Sequence, residues 1–189
     1  MSLPNILTSA RFVLAGMGAV CLLVVFPFHT TIAAGIFVLA ALTDWLDGVA
    51  ARKLGQTSEL GAFMDPLADK LIVLLYFAHF TILGVYPEWL LLAVFARDLL
   101  HDGFRNFAAS RRLIVGANTF SKAKTALQMV SMIAVLLPAA IAEVSGTPWS
   151  LMALSHQVAN VTMLVGLVFG LIGSAMFVRE YLRILTTAE

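Results

Sequence analysis

Apolar stretches of about twenty residues recur along the chain, separated by short polar or proline-bearing segments. A bilayer core of about 30 Å needs roughly that many residues per helix. Sliding this length along the sequence predicts six spans, at approximately 9–27, 31–51, 63–83, 88–109, 121–142 and 157–180. Pro27, Pro87, Pro138 and Pro148 fall near predicted ends or in connections, where a missing backbone N–H costs least. In "PNILT", ahead of the first span, Leu3, Ile6 and Leu7 share one apolar face and suit a short interfacial turn or helix. The pattern contains no linker, low-complexity tract or internal repeat. It predicts an all-α polytopic membrane protein of six transmembrane helices, with residues 1–189 forming one domain.

Composition strengthens the membrane reading. Of 189 residues, 60% are hydrophobic and 12% charged, with a mean hydropathy of +0.93, too apolar for a domain whose surface must face water. The net charge of +1 argues against a nucleic-acid footprint. Distribution tells more than the sum: all 12 Lys and Arg avoid the connections near 27–31, 83–88 and 142–157. By the positive-inside rule the opposite ends, and both termini, are cytoplasmic. Tyr86, Trp89 and Trp149 then lie at the outer ends as interfacial anchors, and His29 and His156 meet headgroups or water there. The lone Cys21 excludes an internal disulfide, and "MSLPNILTSAR" lacks the pattern of a removable signal peptide.

Against this background "TDWLDGVAARKLGQTSELGAFMDPLADK" stands out. Asp44 and Asp47 are spaced i, i+3 at the end of the second span, and Asp65 and Asp69 i, i+4 at the start of the third, so each pair shares a helical face. A short loop makes the two helices antiparallel neighbours, which lets four carboxylates converge. Unpaired, each costs about 2.5–3.5 kcal/mol at mid-membrane, less near the interface. Arg52, Lys53 and Lys70 are candidate counter-charges in a purely structural network. Hard divalent cations completed by phosphate oxygens fit four oxygen donors better. Gly48, with Ala50 and Ala51, and Gly61, with Ala62, leave room for a bulky ligand group at the same place.

Asp44, Asp47, Gly48, Ala51, Arg52, Gly61, Asp65 and Asp69 occupy every fixed position of the signature D-x-x-D-G-x-x-A-R-(eight residues)-G-x-x-x-D-x-x-x-D, and the chain thereby resembles the CDP-alcohol phosphatidyltransferases. The resemblance implies a six-helix membrane enzyme, usually a homodimer, that moves a phosphatidyl group from a CDP-linked lipid to an alcohol and releases CMP. It implies that Asp44, Asp47, Asp65 and Asp69 hold two Mg²⁺ or Mn²⁺ ions and that Asp69 is the general base. Gly48, Ala51, Arg52 and Gly61 would line the CDP-lipid side.

The acceptor is read from "ARDLLHDGFRNFAASRRLIVGANTFSKAKTALQ". Arg97, His101 and Arg105 follow i, i+4, i+8 on one helical face, while Lys122 and Lys124 arrive from the start of the fifth helix. Converging cations of this kind suit a phosphate-bearing acceptor. Arg111 and Arg112 are read as topology signals alone. Arg97 with Asp98, Arg105, Ser121, Lys122, Lys124, Thr125 and Gln128, together with the opening "LPNILTSAR", are similar to the bacterial phosphatidylglycerophosphate synthases of that family. Asp98 stands where Glu is usual there and Ser121 where Gly is usual; His101 and Asp102 lie outside the pattern. This resemblance implies CDP-diacylglycerol and glycerol 3-phosphate as substrates, in a bacterial inner membrane with the active site on the cytoplasmic side. Inositol phosphate or serine as acceptor stays open. So does a cation transporter, although Glu88 and Glu143 are the only acids toward the outer side. Gly166, Gly170 and Ser174 form a small face on the sixth helix, for packing within the subunit or across a dimer.

Overall fold

The computed structural model describes residues 3–54, 59–111, 119–148 and 152–187; the side chains of 3–8, 44–54, 59–66, 69, 185 and 187 lie outside the description. Six helices make up the described residues: α1 (Leu3–Leu23), α2 (His29–Leu54), α3 (Glu59–Ile82), α4 (Glu88–Ser110), α5 (Thr119–Ser145) and α6 (Ala153–Thr187). Two, over Thr119–Ser145 and Ala153–Ile184, are long and apolar enough to cross a membrane, and Ser9–Leu23, His29–Thr43 and Lys70–Ile82 are shorter apolar stretches. Charge explains why α4 is the least apolar of them, since Arg97, Asp98, Asp102 and Arg105 all fall within it.

Local chemistry sets the helix ends. "PNILT" forms the first turns of α1 itself, with Pro4 near the N-terminus where its ring is tolerated. α3 stops at Gly84, which takes φ +76°; the Gly84 and Val85 amides return to the carbonyls of Thr81 and Phe80, each at 2.9 Å. Pro87 then precedes α4, with Glu88 in its first turn. Pro138 is a departure from the sequence reading: it lies inside α5, which continues to Ser145. A proline is tolerated within an apolar helix when neighbouring helices support the freed backbone.

α5 and α6 pack along much of their length, α1 lies against both α2 and α3, α2 meets α5, and α4 rests on α6 and α3. The three-way meeting of α1, α2 and α3 depends on Gly18. There the Tyr76 hydroxyl of α3 donates 2.8 Å to the Ala33 carbonyl of α2. A Cβ on Gly18 would collide with that hydroxyl. Phe37 and Tyr76 also pack as a tilted pair with ring centroids 5.1 Å apart, tying α2 to α3 directly.

Tyr86 corrects the sequence reading. It is buried rather than an interfacial anchor: its hydroxyl lies 2.8 Å from the Ser131 hydroxyl, and Ser131 Oγ donates to the Ala159 carbonyl at 2.7 Å. Trp89 is exposed, and Trp149 lies outside the described residues. His29 sits 3.7 Å from Glu143. Glu143 also accepts from the Thr30 and Thr31 amides at 3.2 and 2.8 Å and from the Thr31 hydroxyl at 2.7 Å. A side chain of α5 thus satisfies orphan N–H groups at the start of α2.

Candidate active site

A cavity of about 370 Å³ opens between α3, α4 and α5, and four cationic side chains line it: Lys70, Arg97, Arg105 and Lys124. Asp98 organises two of them. Arg97 Nη1 donates to one of its oxygens at 2.8 Å and Lys124 Nζ to the other at 2.6 Å. The side chains are only 6% (Arg97), 7% (Lys124) and 16% (Asp98) exposed. Burial at this level strengthens the attraction and makes any unpaired member expensive.

α6 supplies the floor beneath Arg97. Arg97 Nη2 donates to the Gly170 carbonyl at 2.5 Å. A Cβ on Gly170 would stand 3.0 Å from Arg97 Nε and 3.3 Å from Lys124 Cγ, so glycine lets the guanidinium lie on the helix backbone. Four residues further, the Ser174 hydroxyl is 3.2 Å from His101 Nδ1; four earlier, Gly166 faces Leu127 of α5. The small-residue face of α6 therefore packs inside the subunit against α4 and α5.

Arg105 is exposed but lines the cavity, whereas Lys122, also exposed, lies outside the lining. Arg111 sits over the Phe107 ring at 5.1 Å, and Arg112 is outside the described residues. Lys70, a candidate counter-charge for the aspartate quartet, is paired with Asp102 of α4. Sequence reasoning overlooked this pair and the bridging role of Asp98. One signal was available: Asp98, Asp102 and Arg105 follow i, i+4, i+7 along one face of α4.

The side chains of Asp44, Asp47, Asp65 and Asp69, and with them Gly48, Ala51, Arg52 and Gly61, lie outside the description; their backbone is helical, on α2 and α3. Helical register locates these positions. Asp44 follows Phe37 by seven residues and Asp69 precedes Tyr76 by seven, two turns in each case. Both positions are therefore displaced by about 10 Å from the Phe37–Tyr76 contact, in the same direction because α2 and α3 run antiparallel. Arg11 precedes Gly18 by the same two turns on α1, and it is 1% exposed. A buried cation that the sequence reading counted only as a topology signal thus lies level with positions 44 and 69. Lys70, next in the chain to Asp69, opens onto the cavity together with Leu67, Leu71 and Leu74, whereas positions 65 and 69 share the helical face of Tyr76, the face of α3 turned toward α2.

These features define a class: an all-helical protein with membrane-length apolar helices and a basic internal cavity suited to phosphate. Known proteins agree. The family profile of the CDP-alcohol phosphatidyltransferases matches residues 1–172. The chain is 32% identical over 148 residues to a CDP-diacylglycerol–glycerol-3-phosphate 3-phosphatidyltransferase of Bacillus subtilis, covering 72% of this chain and 77% of the relative. It is 34% identical over 145 residues to the protein of that name from Wigglesworthia glossinidia brevipalpis, with the same two coverages. It is also 34% identical over 149 residues to a cardiolipin synthase (CMP-forming) of Oryza sativa subsp. japonica, across 70% of this chain and 44% of the relative. The chain belongs to the CDP-alcohol phosphatidyltransferase family.

Proposed function

We propose that this protein makes phosphatidylglycerol phosphate, transferring the phosphatidyl group of CDP-diacylglycerol to glycerol 3-phosphate with release of CMP. The observation that carries the reading is the Arg97–Asp98–Lys124 cluster, with Arg105 and Lys70, lining a cavity beside the aspartate-bearing stretch of α3. The names of the bacterial relatives support the same acceptor.

Asp44, Asp47, Asp65 and Asp69 would hold two divalent ions, Mg²⁺ or Mn²⁺. An all-carboxylate donor set at one level of two facing helices fits such hard cations. Bound there, the ions neutralise the diphosphate and the departing CMP. Gly48, Ala51, Arg52 and Gly61 face the CDP-lipid, and buried Arg11 adds fixed positive charge at that depth. Arg97, Arg105 and Lys124 hold the acceptor's phosphate, with Lys122 at the cavity approach. Asp69 takes the proton of the acceptor hydroxyl as its oxygen bonds to the lipid-linked phosphorus and the bond to CMP breaks. The chain forms one domain of six spans and works as a homodimer in a bacterial inner membrane, with both termini and the site facing the cytoplasm.

CMP release by purified protein, supplied with CDP-diacylglycerol, Mg²⁺ and one acceptor at a time, tests the reading. Release with glycerol 3-phosphate is expected; release only with another alcohol would overturn the acceptor assignment.

A second reading keeps the transfer but makes the acceptor a lipid. The name of the rice relative favours it. So does an apolar groove of about 540 Å³ between α4 and α6, where Leu100, Phe104 and Leu171 adjoin Arg97 and His101.

A further inference from the structure

The cavity holds six charged side chains, and their arrangement is asymmetric. Asp98 is locked between Arg97 and Lys124 with little exposure. Among the described residues Asp102 has one cationic partner, Lys70, and the two side chains are 36% and 34% exposed. Lys70 reaches it across the cavity wall from α3 to α4. One carboxylate is thus built into the floor, and the other is held by a half-solvated contact of the kind that contributes little net stability and exchanges readily.

With His101 neutral, the four cations exceed the two carboxylates by two charges. A phosphate monoester carries about −1.5 to −2 at neutral pH, whereas a phosphodiester carries about −1. The lining therefore matches a monoester dianion. Of the three cations held by a carboxylate, Lys70 is the least buried, and its ammonium is a mobile point charge on a flexible stem.

We infer that Lys70 is a further phosphate-binding residue of the acceptor site and that Asp102 is its resting counter-ion, displaced when a phosphate monoester enters. The inference rests on the phosphate-acceptor reading and deepens it: Lys70 supplies the charge by which the site prefers a monoester over a diester. Asp102 acts through Lys70 and is a positioning residue. By competing for Lys70 it weakens acceptor binding, holding the lysine at the α4 side of the cavity while no phosphate is bound.

The test measures acceptor KM and kcat for Lys70→Gln, Asp102→Asn and the double variant, with Lys70→Arg as conservative control. Lys70→Gln should raise the glycerol 3-phosphate KM by about tenfold, the scale of one charge-assisted hydrogen bond, with kcat changed by less than about threefold. Asp102→Asn should lower KM by roughly two- to fivefold, on the scale of an exposed ion pair, and lose that effect in the Lys70→Gln background. Lys70→Arg should restore most of the affinity. A second readout needs no turnover: the rise in thermal midpoint of the detergent-purified protein with inorganic phosphate should shrink in Lys70→Gln and grow in Asp102→Asn. An unchanged or raised KM in Asp102→Asn, or equal phosphate stabilisation in all variants, would overturn the inference. Wild-type protein that turns over only with a lipid acceptor would instead overturn the acceptor reading, and the phosphate titration would still decide the role of the pair.

Discussion

Two polar clusters sit in this apolar bundle, and they are built on opposite plans. At one end, Glu143 of α5 is surrounded by donors, two backbone amides and a threonine hydroxyl, with the His29 ring 3.7 Å away. In the cavity, Asp98 must serve two buried cations at once, and Arg97 Nε has no hydrogen-bond partner. The first cluster is closed and fastens one helix to another. The second is left with positive charge in excess, a poor arrangement for stability and a good one for receiving an anion. A polar group that completes its neighbours holds the fold together; one that leaves them incomplete is available to a ligand.

The largest effect should come from the aspartates at the facing ends of α2 and α3. Asp65→Asn is expected to reduce CMP release by about a thousandfold or more, on the scale of a lost metal site, while the protein still elutes as a folded species in detergent. Substantial residual turnover would break the link between the two halves of the site. Next, Asp98→Ala leaves Arg97 and Lys124 buried without their shared anion. It should cost about 3–5 kcal/mol of stability, seen as a lowered thermal midpoint together with lost activity. If Asp98→Ala were instead silent, the cavity cluster would be no more strained than the Glu143 cluster. The smallest effect sharpens the contrast from the other side. Glu143→Gln keeps part of the cap on α2 and should cost about 1–2 kcal/mol with kcat changed less than about twofold; a large loss of activity would mean that this end also serves the reaction.

Much of the architecture was legible in the sequence because apolar length and the i, i+3 and i, i+4 spacings are properties of one helix at a time. The positions of α1 to α6 belong to that class, as does the helical backbone that carries Asp44, Asp47, Asp65 and Asp69. Arg97 and Lys124 were legible as cations within predicted spans, where charge is costly enough to signal use. What joins elements was not. Asp98 bridges its chain neighbour Arg97 to Lys124 on another helix, an arrangement that depends on how α4 and α5 are both seated on α6 and on the bare backbone at Gly170. The Lys70–Asp102 pair and the burial of Arg11 depend on docking in the same way. Tyr86 misled because an amphipathic ring near a helix start looks the same whether its hydroxyl meets water or, as here, Ser131.

The Tyr76 hydroxyl, passing Gly18 to reach the Ala33 carbonyl, acts as a surveyor's benchmark for the aspartate-bearing end of the molecule. A slip of α3 along α2 by a single turn, about 5.4 Å, would strand that hydroxyl among apolar side chains and carry position 69 out of level with position 44. Alignment of groups two turns away is thus referenced to a dry, rigid point that neither substrate nor solvent reaches.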